Sequence, residues 1–178
     1  PIPSRGLGDV YKRQLKILYD RNKKLRLKGV DMCPEELALA KNRLPDGVVD
    51  LLELKAQSLT LVDNNSIDVL LCHWALTLMN PITPVLNEVR RVLSSGGRFA
   101  ALVNGPMDAA PGYGDVHNLI YEYVQAKLPK YGEIDLGDPR IRSTDSLRDL
   151  LSEAFPDAKI NIETNVVSME GPVAKVAE

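Results

Sequence analysis

The sequence predicts an α/β domain built on a doubly wound, mostly parallel sheet with helices on both faces. Three observations carry the prediction. Short apolar runs alternate with amphipathic helical patterns across residues 15–105. Residues 67–72 (IDVLLC) are nearly continuously apolar, which fits a parallel strand buried on both faces. Turn clusters, Pro45-Asp46-Gly47, Asp63-Asn64-Asn65-Ser66 and Ser94-Ser95-Gly96-Gly97, punctuate the alternation. Repeated strand–helix–strand order selects a parallel sheet with crossover helices.

Leu25, Leu27 and Val30 mark the first short strand, with Arg26 and Lys28 between them. Pro34 then opens a helix. Glu35 and Glu36 sit in its first turn, where carboxylates complement the helix dipole. Leu37, Ala40 and Leu44 make its apolar face. Residues 48–54 form the second strand and residues 67–72 the third. The next helix has Val85, Leu86, Val89, Val92 and Leu93 on one side and Asn87, Glu88, Arg90 and Arg91 on the other. Gly96 and Gly97 stop it, because glycine permits positive φ at a helix end. Residues 99–103 are the following strand. Residues 104–115 form a loop rich in glycine and proline. Val116, Leu119, Ile120, Tyr123, Val124 and Leu128 mark an amphipathic helix whose face, Tyr123 included, is expected in the core. Leu147, Leu150, Leu151 and Ala154 mark another, with Ser143 or Thr144 as its cap. Residues 158–169 alternate as a late strand, and Gly171-Pro172 starts a further helix.

A chain of 178 residues suits one domain with a sizeable core. Hydrophobic residues make up 44% and charged residues 26%, which is ordinary for a globular protein. A net charge of −2 makes no case for nucleic acid or an anionic membrane as partner. No apolar run approaches a membrane span. Cys33 and Cys72 lack metal-ligand spacing and read as free thiols of a cytoplasmic protein, with no metal.

Residues 1–14 (PIPSRGLGDVYKRQ) stand apart. They look like translated sequencing adapter and are assigned to an artefactual or disordered leader. Residues 15–178 are then a partial domain, with a core at 15–105 and a substrate-side C-terminal region at 106–178. Gly6-Leu7-Gly8 is not taken as a cofactor loop. Such a loop needs a buried strand before it, and Pro1 and Pro3 forbid one. Tyr11 also occupies the third glycine position.

Sheets of this kind bind ligands beyond the carboxyl ends of their strands, so the residues after each strand are the candidates. Asp31 follows the first strand, where a carboxylate can accept hydrogen bonds from two ribose hydroxyls. The competing role is a helix-initiating Asp beside Cys33 and Pro34. Met32 offers an apolar surface for an adenine face. Ala56 and Gln57 lie in the loop after the second strand, whose backbone can read an adenine edge. Cys72, His73 and Trp74 end the third strand. His73 is a weak candidate for a base and Trp74 for a pocket wall. Cys72 has no base placed to make it a nucleophile. Tyr113, His117, Tyr121 and Tyr123 lie where a substrate cover commonly sits. Asp138, Arg140 and Arg142 read as a solvated loop.

Three stretches, GVDMCPEELALAKNRL, LKAQSLTLVDNNSIDVLLCHWALTLM and PVLNEVRRVLSSGGRFAALV, resemble the class I S-adenosylmethionine-dependent methyltransferases, small-molecule type. The resemblance covers about residues 15–105. It implies a Rossmann-like sheet, S-adenosylmethionine as cofactor and a small-molecule methyl acceptor as partner. Residues 15–22 would be the end of the first helix. By the same resemblance Asp31 is the ribose ligand and Met32 its neighbour. Ala56 and Gln57 form the adenine-edge loop, and Cys72, His73 and Trp74 line the methionine and substrate side. Lys55 departs from the pattern, since the family often has an acid there and lysine can only donate. The resemblance also implies that this piece lacks the first strand and its glycine-rich loop, and is truncated at both ends and inactive by itself. Its second and fourth family strands, residues 25–30 and 67–72, should then pair directly or leave the chain unstable. A nicotinamide-dependent dehydrogenase fragment and a non-catalytic Rossmann-like scaffold remain the alternatives.

Overall fold

Between residues 25 and 103 each apolar run of strand length becomes a strand, and the amphipathic runs become helices. The computed structural model describes residues 8–105, 110–128 and 137–166. Helix α1 (Gly8–Arg21) is followed by β1 (Leu27–Asp31), α2 (Pro34–Lys41) and β2 (Val49–Glu53). Then come β3 (Ile67–His73), a 3-10 turn (Leu76–Leu78), α3 (Ile82–Val92) and β4 (Leu93–Leu102). Helix α4 (Tyr113–Lys127), a second 3-10 turn (Pro139–Arg142) and α5 (Thr144–Ala154) complete the described elements.

The strands pair in parallel, as the alternation predicts. Strand β1 pairs with β2 in a register running from Leu27 opposite Val49 to Asp31 opposite Glu53. Strand β3 pairs with β4, with Val69 opposite Arg98 and His73 opposite Leu102. The register slips between Ile67 and Val69 because residues 94–97 loop out. Gly96 makes that loop possible with φ of 76°. Parallel pairs joined by helical crossovers make this a Rossmann-like α/β fold.

Residues 25–30 and 67–72 do not pair with each other, which removes one of the two expected outcomes: β1–β2 and β3–β4 are separate two-stranded sheets. Apolar packing joins them instead. Leu59, Val62 and the fully buried Val92 form a cluster that takes in Val30 of β1, Leu52 of β2, and Ile67 and Leu70 of β3. A larger cluster lies over one face of β3–β4. Ile82, Val85, Leu86 and Val89 of α3 meet Leu147 and Leu150 of α5, with Leu76 and Ile141 from the two 3-10 turns. Leu70, Cys72 and Phe99 pack against it from the sheet. Gly137 is needed beside this cluster, since a β-carbon there would overlap the Thr77 carbonyl.

Several expectations are corrected. Residues 8–14, assigned to the leader as disordered, belong to α1. Leu15 in the same helix is buried, and a helix already held by packing extends at little cost. Helix α4 buries no residue, and the face expected in the core points outward: Leu119 is 68% and Tyr123 67% exposed. Its half-buried positions are Gly114, Tyr121 and Val124, of which Val124 alone belongs to the expected face. Residues 158–166 form no strand, and residues 167–169 of that expected strand lie outside the described residues. The helix expected after Gly171-Pro172 and the pair Gly6-Leu7 lie outside the described residues.

Leu86, 1% exposed between α3 and α5, should cost about 2–4 kcal/mol when changed to Ala, by lost transfer energy plus a residual cavity. Leu119→Ala on the exposed face of α4 should stay within about 0.5 kcal/mol. Urea denaturation of both variants checks the assignment of the core.

Candidate active site at the carboxyl ends of the strands

Asp31 is the last residue of β1. Its backbone carbonyl accepts the Leu54 N–H at 3.1 Å, which ties the end of β1 to the segment leading into Ala56 and Gln57. Its Oδ1 accepts the Cys33 N–H at 2.9 Å, so the helix-initiating role weighed from sequence is realised by one oxygen. Among the described residues no hydrogen bond reaches the second carboxylate oxygen, which can accept one from a ligand. Met32 beside it is 64% exposed. Ala56 and Gln57 are half-buried, whereas Lys55 is exposed. Ala56 packs on the same cluster as Cys72, so the loop after β2 and the end of β3 share a wall.

Cys72 is no nucleophile. Burial pushes its thiol up, and the Ala75 and Leu76 amides that face the sulfur offset this only in part. Cys33 is also held protonated, chiefly because its thiol donates to Glu35 at 3.1 Å. His73 ends β3 and Trp74 follows it. Their rings lie 5.0 Å apart with a 42° tilt. No hydrogen bond joins His73 to Asp31 among the described residues. The first 3-10 turn is held to this corner by Thr77 Oγ1, which donates to the Trp74 carbonyl at 2.9 Å.

Of the residues placed where a substrate cover commonly sits, Tyr121 is half-buried. Tyr113, His117 and Tyr123 are exposed along α4. In the loop after residue 137, Asp138 and Arg140 pair with each other at 2.7 Å rather than presenting a free anion site. A cleft lined by Asn64, Asn65, Asn87, Arg90 and Arg91 lies at the amino-terminal end of β3, the opposite end from His73.

The residues that sequence reading missed hold the site rather than line it. Arg91 was placed on a solvated helix face. Its guanidinium donates five hydrogen bonds, to both Glu88 oxygens, the Leu59 and Val62 carbonyls and Asn64 Oδ1. Glu88 in turn accepts the Leu59 N–H. Together they pin the connection after Gln57 onto α3. Only the i, i+3 spacing of Glu88 and Arg91 was visible beforehand, and that spacing fits a surface pair equally well.

Comparison with known proteins follows this geometry closely. A family model described as a methyltransferase domain matches residues 7–101, more than half of the chain. The chain belongs to that methyltransferase family. It is 30% identical over 162 residues to the mitochondrial 2-methoxy-6-polyprenyl-1,4-benzoquinol methylase of Schizosaccharomyces pombe, covering 86% of this chain and 51% of the relative. The chain thus spans about half the length of that relative. Among solved structures it resembles a chain of the Haloferax volcanii complex between the Trm112 methyltransferase activator and a methyltransferase. That match has a TM-score of 0.61 at 22% identity, over 84% of this chain and 57% of that one. A Bacillus halodurans methyltransferase structure gives a TM-score of 0.54 at 16% identity, over 73% and 52% of the two chains. S-adenosylmethionine is the cofactor that family membership implies, and the nicotinamide alternative gives way to it. The half-satisfied Asp31 carboxylate fits such a group. No described helix is long and apolar enough to cross a membrane.

Glu88 carries a pH test. The hydrogen bond from Arg91 holds its carboxyl below the ordinary carboxylate range, against an opposing effect of burial. A lowered folded-state pKa contributes stability above the ordinary value of about 4.3 and loses it as pH falls toward the folded value. Wild type should therefore lose stability below about pH 4 more steeply than Glu88→Gln. Urea midpoints measured from neutral to acid pH check this, and parallel curves would count against the clamp.

Proposed function

We propose that the protein transfers a methyl group from S-adenosylmethionine to a small molecule, and that the acceptor is a hydroxylated aromatic ring. The observation that carries the cofactor half is Asp31: one oxygen satisfied by the Cys33 amide, the other open, at the carboxyl end of a parallel strand. In this reading the open oxygen accepts from the ribose, Met32 flanks the adenine face, and the half-buried Ala56 and Gln57 read the adenine edge. Cys72, His73 and Trp74 line the side where the methyl group leaves. When bound, the cofactor supplies an already activated sulfonium methyl. The protein's part is then chiefly to position the two reactants, so the lack of an evident base does not weigh against the activity.

The aromatic acceptor draws on two supports. The relative's printed name describes it as a benzoquinol methylase. Trp74 offers a 41% exposed indole at the strand end. The free thiols of Cys33 and Cys72 suit a reducing compartment, and we take the cytoplasm as that compartment.

Isothermal titration of S-adenosylmethionine into the full-length protein and its Asp31→Asn variant tests the cofactor site. Saturable binding that weakens roughly tenfold or more in the variant is expected, a loss of about 1.4 kcal/mol or more. Equal affinities would remove Asp31 from the site.

A further inference from the structure

The His73–Trp74 corner carries more information than its place at a strand end. Trp74 has φ of 57°, a left-handed conformation that β-carbon-bearing residues rarely adopt. Such a conformation persists only where its surroundings over-determine it, and it concentrates at functional sites. Two hydrogen bonds fix it: Trp74 N–H donates to the Leu102 carbonyl at 2.8 Å, and its carbonyl accepts from Thr77. The reversal turns the chain away from β3 and sets the indole, 41% exposed, against the His73 ring.

His73 has its own irregularity. Its Nδ1 is buried and has no hydrogen-bond partner, the one such side-chain atom among the described residues. Nε2 is not among the buried atoms left without a partner. A neutral imidazole carries one proton, on either nitrogen. On Nδ1 it would become a buried donor without an acceptor, the arrangement folded proteins most avoid. On Nε2 it remains available to water or to a ligand.

We propose that neutral His73 holds its proton on Nε2 and donates it as a hydrogen bond to a hydroxyl or carbonyl oxygen of an aromatic ring lying along the Trp74 indole. His73 is then a hydrogen-bond donor that orients the acceptor, and not the base that removes its proton. The proposal deepens the function proposed above and rests on it for the identity of the ligand. The state of the imidazole rests on the structure alone.

The ring state is read without any ligand, from long-range nitrogen–proton correlation spectra of full-length protein labelled with nitrogen-15 in histidine, at about pH 8.5, where imidazole is neutral. Signals lost in His73→Gln identify the residue. A proton on Nε2 is expected, and a proton on Nδ1 overturns the proposal.

The ligand arm uses 1,4-benzoquinol under anaerobic conditions. A glutamine amide reaches the position of Nε2, whereas an asparagine amide reaches only that of Nδ1. His73→Gln should bind the quinol within about threefold of wild type, and His73→Asn and His73→Ala about tenfold more weakly. A glutamine variant as weak as the alanine variant overturns the donor role. Titration of S-adenosylmethionine into the same variants separates the two readings. Retained cofactor binding with the wrong quinol pattern sinks this inference, whereas absence of cofactor binding in wild type sinks the methyltransferase reading and leaves the ring-state result standing.

Discussion

The guanidinium of Arg91 is the joint on which this arrangement depends. The two parallel strand pairs share no backbone hydrogen bonds, so no ladder fixes one relative to the other. What connects them is the chain between β2 and β3, and that chain is held to α3 by Arg91 and Glu88. Arg91 is 30% and Glu88 19% exposed at the side chain, so both are partly shielded from water. Hydrogen bonds in which a partner is ionised are shorter and stronger than those between neutral groups. Leu59 and Val62, between the pinned carbonyls, then turn their side chains onto Val92. The polar clamp and the apolar cluster are two sides of one short segment.

That joint also explains how the ends of strands from separate sheets are brought together. Asp31 and Leu54 are linked through the backbone on one side. Ala56 meets the wall that carries Cys72 on the other. The segment from residue 54 to residue 62 therefore relays the position of β1 and β2 to the end of β3. Its polar anchors lie away from the carboxyl edge, which leaves Asp31, Gln57 and Trp74 exposed enough to meet a ligand.

Chemistry at the edge follows from how each polar atom is satisfied. Asp31 divides its carboxylate between the protein and an open position. Cys72 is kept protonated by burial, which suits a wall and not a nucleophile. His73 buries its Nδ1 without a hydrogen-bond partner. None of this could be read from residue type alone, since an aspartate, a cysteine and a histidine after strands are compatible with several reactions.

Strands β1 to β4, helices α2 to α5, the parallel pairing and the place of Asp31, Ala56, Gln57, Cys72, His73 and Trp74 at or after strand ends were legible in the amino-acid order. Periodicity and turn residues are local, and a strand's end follows from where its apolar run stops. Tertiary structure alone decided which side of α4 faces water, which charged residues of α3 became anchors, and which His73 nitrogen is buried. Leu59 and Arg91 are 32 residues apart in the chain, and α4 shows equal amphipathic promise whether or not a partner surface exists for it. Contacts of that span depend on how elements settle together, and a local pattern of side chains carries no record of them.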